Sequence, residues 1–335
     1  MPNYSSYPDF VCEDIVRLRR RIALGGVPEK RTDANLIIAT WNIAGFGNIR
    51  PTFDDPEDAS PARHYRGLVY IAEVCRHFDV IAIQEVKRDL TGLRTLVEWL
   101  GPDWGFIVSD VSGGAKGNTE RLAYVFDLRR IKPSGLAGEL VLPTGEDGLP
   151  VEQFDRTPYA VSFKIAEEEF ILVTVHIRWG NEGEVGRLRE VGLVAEWLAD
   201  WNGRQRFHQD IIVLGDFNIA ERHENNILFN AFASQGLNVP VALRDVPSTT
   251  GSAPKHYDQI GWFMGQLQMV PTGRAGSVPF AGSVLRDLKP SQLKSRVSDH
   301  LPLWVEFSID RSEQYLGAVL GIDPTIPPGL GAVGE

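Results

Sequence analysis

The sequence predicts an α/β fold, two mixed β-sheets stacked face to face with helices outside. Three observations carry this. Four short apolar runs have the length and β-branched content of buried strands: Leu36-Ile37-Ile38, Val80-Ile81-Ala82-Ile83, Ile171-Leu172-Val173-Thr174-Val175 and Ile211-Ile212-Val213-Leu214. Segments with apolar residues at helical spacing lie between strand-like runs. The strand-like runs are spread from Leu36 to Phe307 without a long polar or Gly/Ser-rich linker, which favours one large domain over residues 35–310.

The elements follow in order. Residues 1–34 read as an N-terminal helical extension. Phe10, Val11, Ile15, Leu18 and Ile22 share one face of a helix over 9–23, and Gly25-Gly26 stops it. Arg17, Arg19, Arg20 and Arg21 fall largely on the other face, which fits a solvated side better than a phosphate grip. A helix over 64–78 turns Leu68, Ile71, Ala72 and Cys75 inward. The strand over 80–83 comes next, then a helix through Leu93, Leu96, Val97 and Leu100. After Gly101-Pro102 the pattern is strand over 106–109, 121–126, 159–165 and 170–175. The longest helix is expected over 183–201, with Val185, Leu188, Val191, Ala195 and Leu198 on one side. A strand over 211–214 and a helix over about 221–234 follow. The last strands are expected over 257–263 and 303–307, separated by a long loop through Pro290. Residues 311–335 are rich in Gly and Pro and read as a partly disordered tail. No internal repeat is clear enough to use.

A hydrophobic fraction of 43% over 335 residues allows a sizeable core. No apolar run is long enough to span a bilayer, and residues 1–20 do not read as a secretory signal. Cys12 and Cys75 cannot make a disulfide framework and fit reduced thiols in the cytoplasm. A net charge of −10 argues against a broad basic face for nucleic acid. Clustered metal-binding carboxylates would account for part of that charge, and a bound cation would offset it locally. No obligate protein partner is evident.

Polar residues leaving strand ends on one side of a sheet sandwich converge on one cleft. Here they are Asn42, Glu85, His176, Asp216 and Asn218, Asp258, and Asp299-His300. Glu85 with Asn42 suits a hard cation such as Mg²⁺, with Mn²⁺ able to substitute, because such ions take one or two carboxylates, waters and substrate phosphate oxygens. Asp216 and Asn218 can hold and orient a water. An Asp258–His300 pair keeps an imidazole protonated and aimed, and Asp299 would support the metal site. Glu120 is the candidate orienter of His176. Arg156 and Arg178 are candidates to grip a phosphate with the guanidinium fork. Walker A, Rossmann, Cys-x-x-Cys, Gly-x-Ser-x-Gly and His-Glu-x-x-His motifs are absent from the sequence.

Taken in order, Trp41-Asn42, Gln84-Glu85, His176, Gly215-Asp216-Phe217-Asn218, Tyr257-Asp258 and Ser298-Asp299-His300 resemble the endonuclease/exonuclease/phosphatase superfamily. Asn42-Ile43 before Gly45-Phe46-Gly47, Asn118-Thr119-Glu120-Arg121 and Asp155-Arg156-Thr157-Pro158 resemble its deoxyribonuclease I branch most. The resemblance implies a four-layer α/β sandwich and metal-dependent phosphoester hydrolysis. It implies Glu85 as metal ligand with Asn42 beside it, Asp216 and Asn218 on water and phosphate, and Asp258–His300 and Glu120–His176 as acid–base pairs. An endonuclease is the leading expectation, on DNA ahead of RNA. A lipid or inositol-phosphate phosphoesterase is the alternative; it would need an exposed aromatic loop, for which Trp179 and Trp262-Phe263 are weak candidates.

Overall fold

The β-branched runs form the inner strands of two six-stranded sheets. This computed structural model describes residues 4–54, 60–113, 118–145, 147–149, 151–179, 183–204, 210–265 and 267–321. The strands are β1 (Asn35–Phe46), β2 (Val80–Lys87), β3 (Trp104–Val108), β4 (Glu120–Asp127), β5 (Lys132–Glu139), β6 (Tyr159–Ile165), β7 (Glu168–His176), β8 (Asp210–Asp216), β9 (Leu237–Asn238), β10 (Asp258–Phe263), β11 (Val270–Ser277) and β12 (Leu303–Ser308). Their order is β11-β12-β1-β2-β4-β3 in one sheet and β5-β6-β7-β8-β10-β9 in the other. β1 runs parallel to β2, and β7 to β8; the other pairings are antiparallel.

Alternation along the strands explains the layering. Leu36 and Ile38 face Phe163, Leu172, Ile212 and Ile260 in the core between the sheets. Ile37, Ala39, Trp41 and Ile43 face the other way, onto helices α1 (Asp9–Leu24), α2 (Tyr65–Cys75) and α3 (Thr91–Leu100). Ile171, Val173 and Val213 pack under α4 (Gly183–Arg204) and α5 (Ile227–Ala233). The result is the four-layer sandwich: helices, sheet, sheet, helices. α1 lies on the first sheet with Val11, Ile15, Leu18 and Ile22 buried, and two of its arginines are in ion pairs: Arg19 with Glu73 and Arg17 with Glu13 and Asp14.

Several elements differ from the sequence expectation. The sequence does not announce β5 and β11, because each is an edge strand carrying a proline and two glycines and broken by a register shift. α6 (Pro290–Arg296) lies where a loop is expected; Pro290 starts it, at the one helical turn where proline is favourable. α5 starts later than position 221. Arg222 folds inward instead, donating to Gln259 Oε1 and the Asp258 and Val246 carbonyls, each at 2.7 Å, and Asn226 caps the helix. α7 (Ser312–Leu320) occupies the start of the expected tail, and residues 322–335 lie outside the described residues.

The topology also exposes a repeat. β11-β12-β1-β2-β4 and β5-β6-β7-β8-β10 have the same order and directions. Asp79–Glu85 (DVIAIQE) then matches Asp210–Asp216 (DIIVLGD), and Lys132–Glu139 (KPSGLAGE) matches Val270–Ser277 (VPTGRAGS). Asp299–Phe307 (DHLPLWVEF) matches Asp155–Phe163 (DRTPYAVSF). The first sheet is sewn from both ends of the chain, so the repeat is permuted in sequence and escapes a linear reading.

His77, just after α2, sets an expected pH response. Its burial, aided by Arg19, Arg76 and Lys30, lowers its pKa from 6.5 to about 4. The unfolded imidazole takes up a proton below about pH 6.5, while the folded one resists until about pH 4. Stability therefore falls as pH drops through that window, by up to about 3 kcal/mol. Urea denaturation at pH 7 and pH 5 should show a smaller loss for His77→Asn than for the wild type; equal losses would refute this.

Candidate active site

Strand register brings the ionisable residues together. His176 on β7 and Asp258 on β10 both stand directly beside Asp216 on β8. Asn42 and Glu85 leave β1 and β2 of the facing sheet. Two of the site positions are left-handed: Glu85 and Asn218 have φ of 62° and 53°, a conformation that asparagine tolerates well and glutamate rarely takes. Gly215 at φ 140° lets β8 pass so close to β7 that a Cβ there would lie 2.2 Å from the Val175 carbonyl oxygen.

Asp216 is the hub. Its Oδ1 accepts from the Asn218 N–H at 2.9 Å, and its Oδ2 accepts from Asn42 Nδ2 at 2.9 Å. Both imidazoles point at that Oδ2, with His176 Nε2 at 3.7 Å and His300 Nε2 at 3.8 Å. Asn42 Nδ2 also donates to Glu85 Oε1 at 3.0 Å, so one amide bridges the carboxylates of the two sheets. The other Glu85 oxygen accepts from the Gly45 N–H at 2.9 Å.

His300 Nδ1 lies 2.7 Å from Asp258 Oδ2, and the Asp258 side chain is fully buried. Burial opposes the charge on His300, but the Asp258 and Asp216 carboxylates overcome it and push the imidazole up to about 10. His300 is therefore a buried imidazolium at neutral pH, with its second N–H aimed at Asp216. Packing fixes it in place: Trp41, buried in the core, donates to the His300 carbonyl at 2.9 Å, and Ser298 Oγ accepts from the His300 N–H at 2.9 Å while donating to the Asn42 carbonyl at 2.6 Å.

Glu120 reaches His176 as expected, Oε2 to Nδ1 at 3.0 Å, though the approach is off the N–H direction, so the contact is electrostatic. Arg156 Nε donates to the same oxygen at 2.6 Å, and Lys87 Nζ to the other at 2.9 Å. Burial would raise Glu120, but His176, Arg156 and Lys87 hold it down to about 2. The repeat explains this layout. Arg156–Glu120 is the counterpart of His300–Asp258, each pair joining one half to the other, and Glu85 is the counterpart of Asp216.

Three of the candidate residues have partners within the protein. Arg156 is buried against Glu120, and Arg178 forms a two-pronged pair with Asp155 at 2.7 Å, so both guanidiniums reserved for phosphate are engaged with carboxylates. Asp299 pairs with Lys294 Nζ at 2.7 Å and makes no direct contact with Glu85 among the described residues. Sequence reasoning misses Arg63 altogether. It is buried and donates to the carbonyls of Gly45, Ala44, Val297 and Arg296 at 2.7 to 3.3 Å, tying the Glu85 loop to the segment leading into His300. No sequence motif marks it, because its partners are backbone atoms far apart in the chain.

Among the described residues no three His, Cys, Asp or Glu side chains form a metal cage. A hard cation that keeps its waters needs none. The Asn42 Oδ1 is buried without a hydrogen-bond partner, beside the Glu85 carboxylate. An orphaned amide oxygen next to a carboxylate is a donor set that fits such an ion.

The chain matches the profile of the Endonuclease/Exonuclease/phosphatase family over residues 39–300. Proteins of that family hydrolyse phosphoesters and generally use divalent metal ions. A search of curated proteins gives no match. Similar solved structures include a Bacteroides thetaiotaomicron mannosyl-6-phosphatase, with TM-score 0.56 and 19% identity, covering 81% of this chain and 99% of that one. The human Nocturnin catalytic domain with bound sulfate has TM-score 0.55 and 17% identity, covering 84% and 96%. D. rerio TDP2 complexed with a single-strand DNA product has TM-score 0.54 and 12% identity, covering 82% and 98%. At these identities the likeness is one of fold.

Proposed function

As this chain belongs to the Endonuclease/Exonuclease/phosphatase family, we propose that it is a divalent-metal-dependent phosphodiesterase that cuts DNA internally, with Mg²⁺ as its ion. The observation that carries the mechanism is the Asp216 hub, one carboxylate oxygen faced by two imidazoles and an amide. Glu85 and Asn42 would hold the cation, which when bound supplies positive charge to a phosphate oxygen. Asp216 holds the attacking water and accepts its proton, and Asn218 helps to orient that water. His300, kept charged by Asp258, stabilises the charge that gathers on the phosphate oxygens. His176, oriented by Glu120, is placed to protonate the leaving oxygen. Arg156 and Arg178 act here by neutralising Glu120 and Asp155 rather than by gripping phosphate, and Asp299 acts through Lys294.

We further propose the cytoplasm as its compartment, a reading that two cysteines free of a disulfide support. No helix among the described residues is long and apolar enough to cross a membrane. Trp262 and Phe263 are buried, which removes one of the two aromatic candidates for a lipid-facing loop. The test is a panel of supercoiled plasmid, single-stranded DNA, RNA, sphingomyelin, inositol phosphates and mannose 6-phosphate, each with Mg²⁺, with Mn²⁺ and with chelator. Plasmid nicking that chelator abolishes is expected. Turnover confined to lipid headgroups or sugar phosphates would replace this reading.

A further inference from the structure

Trp179 is 62% exposed, beside a cleft whose two imidazoles are buried. It is three residues beyond His176. Its ring lies 5.4 Å from Tyr257, edge to face, and the Tyr257 ring lies 6.1 Å from that of His300. Arg187 of α4 places its guanidinium 4.7 Å over the indole and donates to the Asn218 carbonyl at 3.3 Å. An aromatic path therefore runs from the buried imidazolium to solvent, and its outer end is braced from the cleft wall. Leaving an indole in water forgoes the stabilisation that burial gives it. Arg187 braces one part of the ring, and most of the rest meets water.

We propose that Trp179, backed by Tyr257 and Arg187, is a stacking subsite for a nucleobase carried by the nucleotide at, or next to, the phosphate bound at Asp216. A base is planar and every base has a π-face, so one indole accepts any of them without reading sequence. The guanidinium adds a positive charge beside the path of the phosphate backbone. The subsite supplies affinity without a basic surface, which accords with a chain of net charge −10. This inference rests on the nuclease reading above.

The test uses the full chain and matched single-stranded oligonucleotides in which a tetrahydrofuran abasic unit is moved one position at a time. The wild type should lose about tenfold in kcat/KM, mostly through KM, when the abasic unit occupies one particular position. Trp179→Ala should lose a similar factor on the fully based oligonucleotide and become indifferent to the abasic unit, while Trp179→Phe keeps most of the preference. If Trp179→Ala slows all oligonucleotides alike, or none, the subsite is refuted and the nuclease reading stands. If the wild type cleaves no oligonucleotide and cleaves mannose 6-phosphate instead, both are refuted.

Discussion

His300→Gln should lower kcat by about 10²–10⁴-fold with little change in KM. The side chain is held at Nδ1 by Asp258 and at its backbone by Trp41 and Ser298, and only Nε2 faces the hub. Its charge is what the fold maintains against burial, so a neutral amide of similar size should keep the position and lose the function. Asp258→Asn should cost nearly as much, because it removes the carboxylate that keeps the imidazole charged. The double variant should be no slower than His300→Gln alone, since two residues acting as one unit are not additive. Steady-state kinetics on the substrate found by the panel decide it. A double variant slower by the product of the two single effects would show that the residues act separately. Stability gives an independent check. His300→Ala leaves Asp258 buried and unpaired, at a cost of about 3–5 kcal/mol, and Asp258→Asn together with His300→Gln should recover part of that.

The parts of this fold that the sequence shows are those with a single dominant cause. β1, β2, β7 and β8 are apolar because both faces are buried, and no other local structure suits runs like Val80–Ile83. Asn42, Glu85, His176 and Asp216 are legible for the same reason: each stands at or near the end of such a run. Edge strands β5 and β11 are illegible because exposure removes the apolar signal, and their prolines and glycines read as turns. α6 is lost when Pro290 is read as a break rather than a start. The pairing of Arg156 with Glu120 needs the structure, since a basic residue near a phosphate site reads the same whether it binds substrate or neutralises a carboxylate.

The internal repeat ties these points together. A linear scan looks for one half following another, but here β11 and β12 close the sheet that β1 begins. Once the halves are aligned, the site is two versions of one arrangement. One version keeps a carboxylate with an imidazole, Asp258 with His300; the other keeps a carboxylate with a guanidinium, Glu120 with Arg156. Asp258 and Asp216 push that imidazole up to about 10, and a guanidinium stays charged at any working pH. The two pairs therefore divide the work: one holds a charged imidazole at Asp216, and the other holds a fixed charge that keeps Glu120 ionised beside His176.

Gly215→Ala should be strongly damaging. A Cβ at this position would lie 2.2 Å from the Val175 carbonyl oxygen, 2.9 Å from its nitrogen and 3.0 Å from its carbonyl carbon, all backbone atoms that cannot turn aside. The φ of 140° is also nearly closed to any residue with a Cβ. Strain of that kind costs about 1–3 kcal/mol, and separating β7 from β8 adds about 1–3 kcal/mol more. The total is a large share of the roughly 5–15 kcal/mol that stabilises a typical domain. A fall in Tm of about 3–9 °C is expected, with loss of activity even where the variant is still folded. The second effect follows from register. Asp216 is the next residue, and its distance to His176 is set by how closely the two strands run. Gly192 is the control. It lies in α4, and a methyl group added there would meet nothing within 4 Å, so Gly192→Ala should raise stability by about 0.5–1 kcal/mol and leave activity unchanged. Equal melting temperatures for Gly215→Ala and the wild type would mean that the close approach of β7 and β8 does not hold the site together.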